Sequence, residues 1–306
     1  MTRFQSLLTF AQERWLLISQ ARASGSKSHK AIAFLRQRWL GTLGLFLLLL
    51  IVIPVILAPW VTPYDPNHQD LNQALEGPRA GHWLGSDELG RDVFSRILYG
   101  GRVSLLISLG SVALGLLVGG LAGCAAGYRG GWLDSVVMRG SDILLAFPGF
   151  VMAAAVMAVL GLGVMNVILA LALRSLPTFS RLARNMTLSL REQDYVMAAR
   201  TIGARNLRIV LRHILPNLLP SLLVVSTLRI GNAIIVGASL SFLGLGVPPE
   251  VAEWGVMVKQ GLLYIRVDIN YLVLFPGLAI LLTVLCANLL GDDLRDLLDP
   301  RLRSTV

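Results

Sequence analysis

The sequence predicts an all-α polytopic membrane protein with six spans, from its composition, its long apolar runs and the placement of its basic residues. Of the 306 residues, 55% are hydrophobic and only 15% are charged, and the mean hydropathy is +0.67. A soluble protein of this size would not be so apolar. The apolar residues gather in runs of about twenty, which is long enough for a helix to cross a membrane.

The chain begins with a basic segment and a first apolar run. Residues 1–39 contain seven Lys or Arg against one Glu, which predicts a cytoplasmic N-terminal segment. Within it, residues 4–18 are weakly amphipathic and are predicted to lie along the inner membrane surface. Residues 40–61 then form the first span, because a cleaved signal peptide has a shorter basic start and a shorter apolar segment.

An acidic stretch separates the first two spans. Residues 62–101 contain three Arg against six Asp or Glu, so they are predicted to form an extracytoplasmic loop. Gly85 and Ser86 predict a turn and a helix cap. An interfacial helix should follow, on the apolar residues Val93, Phe94, Ile97 and Leu98. A metal site on this loop is disfavoured, because the four possible ligands share no single face. Those ligands are His82, Asp87, Glu88 and Asp92.

The remaining spans are predicted within a transmembrane core at 102–290, followed by a cytoplasmic tail at 291–306. The spans are expected at about 103–126, 142–160, from 164 onward, 218–241 and 270–290. Residues 128–141 are expected to form a short inner loop, and Trp254 is expected at a membrane interface. The second span has a glycine every four residues, which gives one helix face without side chains for close packing. These glycines are Gly115, Gly119, Gly123 and Gly127.

The distribution of basic residues tests this topology. The segments assigned to the inner side carry 19 of the 27 Lys and Arg residues, whereas the two outer segments carry five. This bias agrees with six spans and with both termini in the cytoplasm. It also explains the net charge of +9 without nucleic acid, because no basic groove rich in aromatic residues is present.

A basic loop at 181–217 contains the most distinctive stretch of the chain, residues 194–217, called here the arginine knob. Helix formers lead to Gly203, which should bend the chain, and an apolar period then resumes until Pro216, which is expected to stop the helix. Four arginines predict that the knob faces water or an acidic groove instead of lipid. They are Arg200, Arg205, Arg208 and Arg212.

The knob resembles the EAA loop of membrane subunits of bacterial ABC importers, which docks into a cleft of the ATP-binding subunit. The resemblance rests on Ala198-Ala199, Gly203 and Leu215-Pro216. Met197 stands where that motif usually has Glu, and His213 where it often has Ile, but the spacing is intact. The resemblance implies a coupling role for Ala198, Ala199, Arg200, Gly203, Ala204, Arg205, Leu215 and Pro216.

Other stretches resemble permeases of the dipeptide, oligopeptide and nickel family, in the right order along the chain. They are HWLGSDELGRDVFSRILYGGRVS at 82–104, SFLGLG at 241–246, EWGVM at 253–257 and GDDLRDLLDPRLR at 291–303. The resemblance covers nearly everything from Leu40 onward. It implies the six-helix fold of type I ABC importers with a cytoplasmic coupling helix, in a bacterial cytoplasmic membrane. The implied partners are a second permease subunit, two ATP-binding subunits that hold ATP and Mg, and an extracytoplasmic substrate-binding protein.

The chain itself shows no catalytic constellation. It lacks a GxxxxGK[ST] phosphate loop, and its four His are scattered without a catalytic grouping or a metal cage. No cofactor is therefore expected in this chain, and a partner should supply the energy.

Two arginines inside the apolar runs are candidate passage residues. A central Arg costs about 2.5–3.5 kcal/mol on insertion scales, so Arg229 should face the bundle interior, water or a partner charge. It either lines the passage and favours substrates with a carboxylate, or it pairs with the other subunit. Arg174 has the same two interpretations, and it could also snorkel to the inner interface.

The sequence thus predicts an importer permease for di- or oligopeptides that works by alternating access. Nickel, a metal chelate, or a glutathione-like or opine-like cargo is the alternative within the family. A transporter or channel driven by an ion gradient is the alternative from another class, although carboxylates are lacking deep in the six predicted spans. A scaffold without transport is disfavoured by the knob.

Overall fold

The computed structural model describes residues 39–265 and 269–298, and within those ranges all regular secondary structure is helical. Only two isolated bridges occur there, one between Arg79 and His82 and one between Ser86 and Asp92. The helices are α1 (Trp39–Ile56), α2 (Ala58–Val61), α3 (Val93–Arg129), α4 (Gly131–Ala146), α5 (Gly149–Leu160), α6 (Val164–Leu190), α7 (Asp194–Thr201), α8 (Asn206–Ile209), α9 (Leu215–Phe242), α10 (Trp254–Leu262) and α11 (Tyr271–Leu298). The predicted amphipathic segment and the end of the predicted tail lie outside the described residues.

Several of these helices can cross a membrane, as predicted for a polytopic protein. Among the described residues, four helical stretches are long and apolar enough: α1, α3, the continuous run 206–242 and α11. The bent pair formed by α4 and α5 provides a fifth. Helix α6, the predicted fourth span, is 27 residues long but carries three arginines, so its composition is less apolar.

The predicted third span is broken. Helices α4 and α5 meet at an angle of 94°. Phe147 has φ −92° and ψ 140°, the extended conformation that a residue before proline prefers, and Pro148 starts the next helix. The predicted inner loop at 128–141 is wrong, because only Gly130 interrupts the helices there and residues 131–146 are helical.

Helix α3 is one continuous rod of 37 residues, about 55 Å long, so it extends beyond a hydrocarbon core of ~30 Å. The predicted interfacial helix is not separate, because its residues form the first turns of α3. Val93 and Leu98 are buried in the protein there. Gly101 lets the side chains of Val55 and Trp254 pack closely against α3, since a Cβ at that position would lie 2.7 Å from Val55 and 2.8 Å from Trp254.

The glycine face of α3 packs directly on α6, which confirms the predicted close packing. A Cβ at Gly115 would lie 2.0 Å from the Ser175 hydroxyl, and one at Gly123 would lie 2.0 Å from the Ser180 carbonyl oxygen. Side chains larger than hydrogen would therefore separate the two helices. This contact fixes α6 against α3, and the arginine side chains of α6 reach toward α4 and α9.

Candidate functional site

The arginine knob consists of two short helices joined at a glycine bend. Helix α7 ends at Thr201, Gly203 has φ +82°, and α8 begins at Asn206. This left-handed backbone conformation favours glycine. A Cβ at Gly203 would meet no atom within 4 Å, so the bend is open to the surroundings and its requirement for glycine is conformational.

One side of the knob is anchored to the helical bundle. Val196, Ile209 and Ile214 are fully buried, which ties both short helices and the turn after them to the core. The Tyr128 hydroxyl, near the end of α3, donates a hydrogen bond of 2.9 Å to Asn206 Oδ1. The knob is therefore held against the C-terminal end of α3.

The other side of the knob is an exposed surface of mixed chemistry. Ile202 is 85% exposed and Leu207 is 69% exposed. All four arginines of the knob are exposed around them. A shallow groove of about 520 Å³ is lined by Arg205, Leu207, Arg208, Leu211, Arg212 and Pro216. Exposed apolar side chains rimmed by cations are suited to a partner with an apolar centre and an acidic rim.

The candidate coupling residues divide between the two sides. Ala199 is buried, and Ala204 and Leu215 are half-buried. The others are exposed: Ala198, Arg200, Gly203, Arg205 and Pro216. Their side chains could touch a partner, whereas Ala199 packs the knob against the bundle.

The predicted helix stop at Pro216 is wrong. Pro216 lies in the first turn of α9, where the missing N–H is tolerated, and the helix continues to Phe242. A π-helical turn at Val210–Ile214 carries the chain from α8 into α9 without a break. The knob is thereby joined rigidly to a membrane helix.

The structure brings the two candidate passage arginines together at the interface of α6 and α9. The Arg174 guanidinium donates from Nη1 to Asn232 Oδ1 at 2.6 Å. The Arg229 guanidinium donates from Nη2 to Thr178 Oγ1 at 2.9 Å. Each helix thus contributes one arginine and, one turn away, the neutral partner of the other arginine. Arg174 and Arg229 are called the arginine pair below.

The arginine pair has no carboxylate partner among residues 39–265 and 269–298. Both side chains are half-buried, and neither forms an ion pair there. The Nε atom of Arg174 is buried and has no hydrogen-bond partner. Two positive charges and one free donor therefore meet in a partly desolvated site, which suits an anion.

The acidic residues of the loop before α3 have other partners. Asp87 accepts a hydrogen bond from Arg91 Nε at 2.7 Å, and Asp92 contacts His82 Nδ1 at 2.9 Å. Asp92 also caps α3, since the Ser95 amide donates to it at 2.8 Å. In the part of the chain that the structure describes, no three His, Cys, Asp or Glu residues gather as metal ligands.

A buried carboxylate in the segment before α10 was missed from the sequence. Glu253 is 2% exposed, accepts hydrogen bonds of 3.0 Å from the Ser104 hydroxyl and the Val256 amide, and caps α10. Burial raises the pKa of the Glu253 carboxyl. The neighbouring Trp254 is fully buried, so its indole packs inside the protein. Its indole N–H donates to the Ile97 carbonyl at 2.9 Å.

Comparison with known proteins agrees with this architecture. The family described as binding-protein-dependent transport system inner membrane component matches residues 115–304. The N-terminal TM domain of oligopeptide transport permease C matches residues 27–78. The inward-facing MetNI methionine ABC transporter has a similar fold, with a TM-score of 0.52 at 20% identity over 67% of this chain and 97% of that one. The chain thus has the all-α type I ABC importer fold.

Curated relatives are closer in sequence. The glutathione transport system permease protein GsiD of Pectobacterium atrosepticum is 48% identical over 275 residues, which cover 89% of this chain and 90% of that protein. The protein of the same name from Escherichia coli O6:K15:H31 is 48% identical over 274 residues, covering 88% and 89%. With the family match over most of its length, the chain belongs to the binding-protein-dependent transport system inner membrane components, as a multi-pass permease subunit of an ABC importer.

Proposed function

We propose that this permease subunit forms a substrate passage with a second, homologous permease subunit and imports small peptides. Two ATP-binding subunits drive it, an extracytoplasmic substrate-binding protein delivers the cargo, and ATP and Mg are held by the ATP-binding subunits alone. The exposed surface of the arginine knob carries this proposal, because it offers apolar contacts and cations on a rigid extension of a membrane helix. The chain serves transport and catalyses no reaction.

The bias of basic residues supports the orientation. The arginine knob and both termini lie in the cytoplasm, where ATP is available, and residues 62–101 lie outside. The predicted division into residues 1–39, 40–61, 62–101, 102–290 and 291–306 follows from the same orientation. The surrounding bilayer is the bacterial cytoplasmic membrane.

Glutathione is the first cargo to test. Relatives with 48% identity are named for glutathione transport, and glutathione is itself a small peptide with carboxylates. That chemistry matches a passage that contains the arginine pair, whereas bare nickel ions would be repelled by it. A nickel chelate with net negative charge is the second cargo to measure.

The mechanism is alternating access. ATP binding closes the two ATP-binding subunits, and their clefts draw the arginine knobs of the two permease subunits together. The continuous helical run 206–242 transmits that displacement into the membrane, because a helix without a break rotates and shifts as one body. The anchor between Tyr128 and Asn206 passes the same movement to α3.

The Gly203→Val variant tests the coupling. A β-branched residue in the left-handed conformation costs roughly 1–2 kcal/mol, so the bend between α7 and α8 should change shape. In proteoliposomes that contain the whole complex and binding protein, we expect ATP-dependent glutathione uptake to fall at least tenfold, with the subunit still inserted.

Gly140→Val is the matched control. A Cβ at Gly140 also meets no atom within 4 Å, but this glycine lies inside helix α4 and has no left-handed backbone. Its uptake should stay within twofold of wild type. Unchanged coupling in Gly203→Val contradicts the docking role, and uptake driven by an ion gradient without ATP supports the other transporter class.

A further inference from the structure

The arginine pair differs from the other arginines of α6 in what faces it. Helices α4 and α6 run side by side, and two arginines of α6 meet aspartates of α4. Arg184 forms a two-bond ion pair with Asp134, at 2.5 and 2.6 Å, and Arg181 pairs with Asp142. In both contacts, the arginine on α6 has its own aspartate partner on α4.

Arg174 is the next arginine of α6 toward its N-terminus, seven residues before Arg181. It reaches the break between α4 and α5, where Gly149 faces it without a side chain. A Cβ at Gly149 would lie 2.8 Å from Arg174 Nε, so the two residues are in direct contact. Arg184 and Arg181 each face an aspartate, whereas Arg174 faces the backbone of a glycine.

The second charge increases the need for an anion. Arg229 approaches the same stretch of α6 from α9, since its partner Thr178 lies one turn after Arg174. The neutral partners Asn232 and Thr178 hold both groups in place, but they cannot cancel like charges that lie close together in a partly desolvated site.

We propose that the arginine pair binds a carboxylate of the cargo as it crosses the membrane. This inference rests on the proposed function, since it names the chemical group that the passage recognises. Arg174 Nη2 and Arg229 Nη1, which make no hydrogen bond to the described residues, donate to the carboxylate, and both guanidinium groups supply positive charge. Asn232 and Thr178 are positioning residues, because each keeps one guanidinium turned toward the helix interface.

Guanidinium groups suit this task because their fixed N–H donors match the geometry of a carboxylate. The site should hold the carboxylate only briefly, because both arginines remain partly solvated and a permease must release its cargo. A carboxylate of the second permease subunit is the competing occupant. Such an ion pair would serve assembly instead of transport.

The test places an internal carboxylate in the site. Asn232→Asp keeps the size of the side chain that touches Arg174 but adds one negative charge, which should occupy the arginine pair in place of the cargo. The matched control is Asn185→Asp. Asn185 Oδ1 lies 3.5 Å from Arg184, an arginine that already has its own carboxylate.

The measurement uses the whole complex in proteoliposomes, with glutathione and the dipeptide Ala-Ala as cargoes. We expect Asn232→Asp to lower uptake of both at least tenfold, with ATP hydrolysis and co-purification of the second permease subunit retained. Asn185→Asp should transport within twofold of wild type. The same binding protein is present throughout, so its selectivity cancels in the comparison.

Arg174→Gln is a second variant that tests whether the arginine pair binds the cargo carboxylate if Asn232→Asp does not assemble. It should also lose uptake at least tenfold while the second permease subunit still co-purifies. Wild-type uptake by either variant overturns the carboxylate site alone. Loss of co-purification in Arg174→Gln also overturns it, in favour of an ion pair between subunits. A wild-type complex that imports neither cargo overturns the proposed function as well.

Discussion

The interface of α4 with α6 and that of α6 with α9 both contain arginines, but in opposite settings. Arg184 and Arg181 face aspartates on α4. Arg174 and Arg229 have only an asparagine and a threonine as partners among the described residues. The difference teaches that one residue type can serve two purposes on one helix. A paired arginine fixes helices together, whereas an arginine without a counter-charge is available to a ligand.

The largest expected effect comes from removing the arginine pair. If the arginine pair binds the cargo carboxylate as proposed, the double variant Arg174→Met and Arg229→Met should lower glutathione uptake more than tenfold, because it removes both cations. It should not destabilise the subunit, since a central Arg costs about 2.5–3.5 kcal/mol on insertion scales and each Met removes such a charge. Uptake in proteoliposomes and the Tm of the complex in detergent measure the two effects. A lower Tm would contradict the distinction between the two interfaces, because it would show that the arginine pair also holds helices together.

An intermediate effect is expected from Asp134→Asn. The change leaves the half-buried Arg184 without its two-bond partner, and the expected loss of stability is roughly 1–3 kcal/mol, between the values for exposed and buried ion pairs. The Tm of the complex should fall, while uptake per assembled complex should stay near wild type. Adding Arg184→Gln should restore part of the Tm, because it removes the charge that was left alone. A loss of transport without a loss of stability would contradict the structural role.

The smallest effect is expected from Asp142→Asn. Its partner Arg181 is 47% exposed and Asp142 is 61% exposed, so water screens their attraction. The loss of stability should stay below about 1 kcal/mol. Comparing the Tm of this variant with that of Asp134→Asn shows how much more the less exposed ion pair, Arg184–Asp134, contributes to stability than the exposed pair Arg181–Asp142. Equal losses in both variants would mean that exposure does not decide the strength of these ion pairs.

The sequence predicted the helices and one of their contacts well, because that information is local. Apolar runs of about twenty residues specify spans whatever lies beside them. Glycines at four-residue intervals predict a bare helix face, and that face packs on α6. Composition in short windows was therefore sufficient for the fold class.

Two prolines show why the breaks were harder to predict. Pro148 separates two helices at 94°, whereas Pro216 begins a helix that continues in the same direction as the turn before it. The outcome depends on the conformation of the preceding residue, extended at Phe147 and helical at Leu215. The surrounding packing sets that conformation, and the sequence does not contain it explicitly.

The arginine pair could be predicted only as two separate residues. Each was marked by its charge inside an apolar run. Their association depends on how α6 and α9 are rotated about their axes, which brings together residues 51 and 58 positions apart in the chain. Because single-sequence patterns give the period of a helix but not its rotation in the bundle, the shared site was invisible before the structure.

The π-helical turn at Val210–Ile214 sets that rotation. Each residue added to or removed from a helix turns everything after it by about 100°. Deleting one residue from this turn would leave α7, α8 and α9 as helices, but it would swing Arg229 and Asn232 away from α6. The wide turn therefore sets the angle about the helix axis between the exposed surface of the arginine knob and the arginine pair.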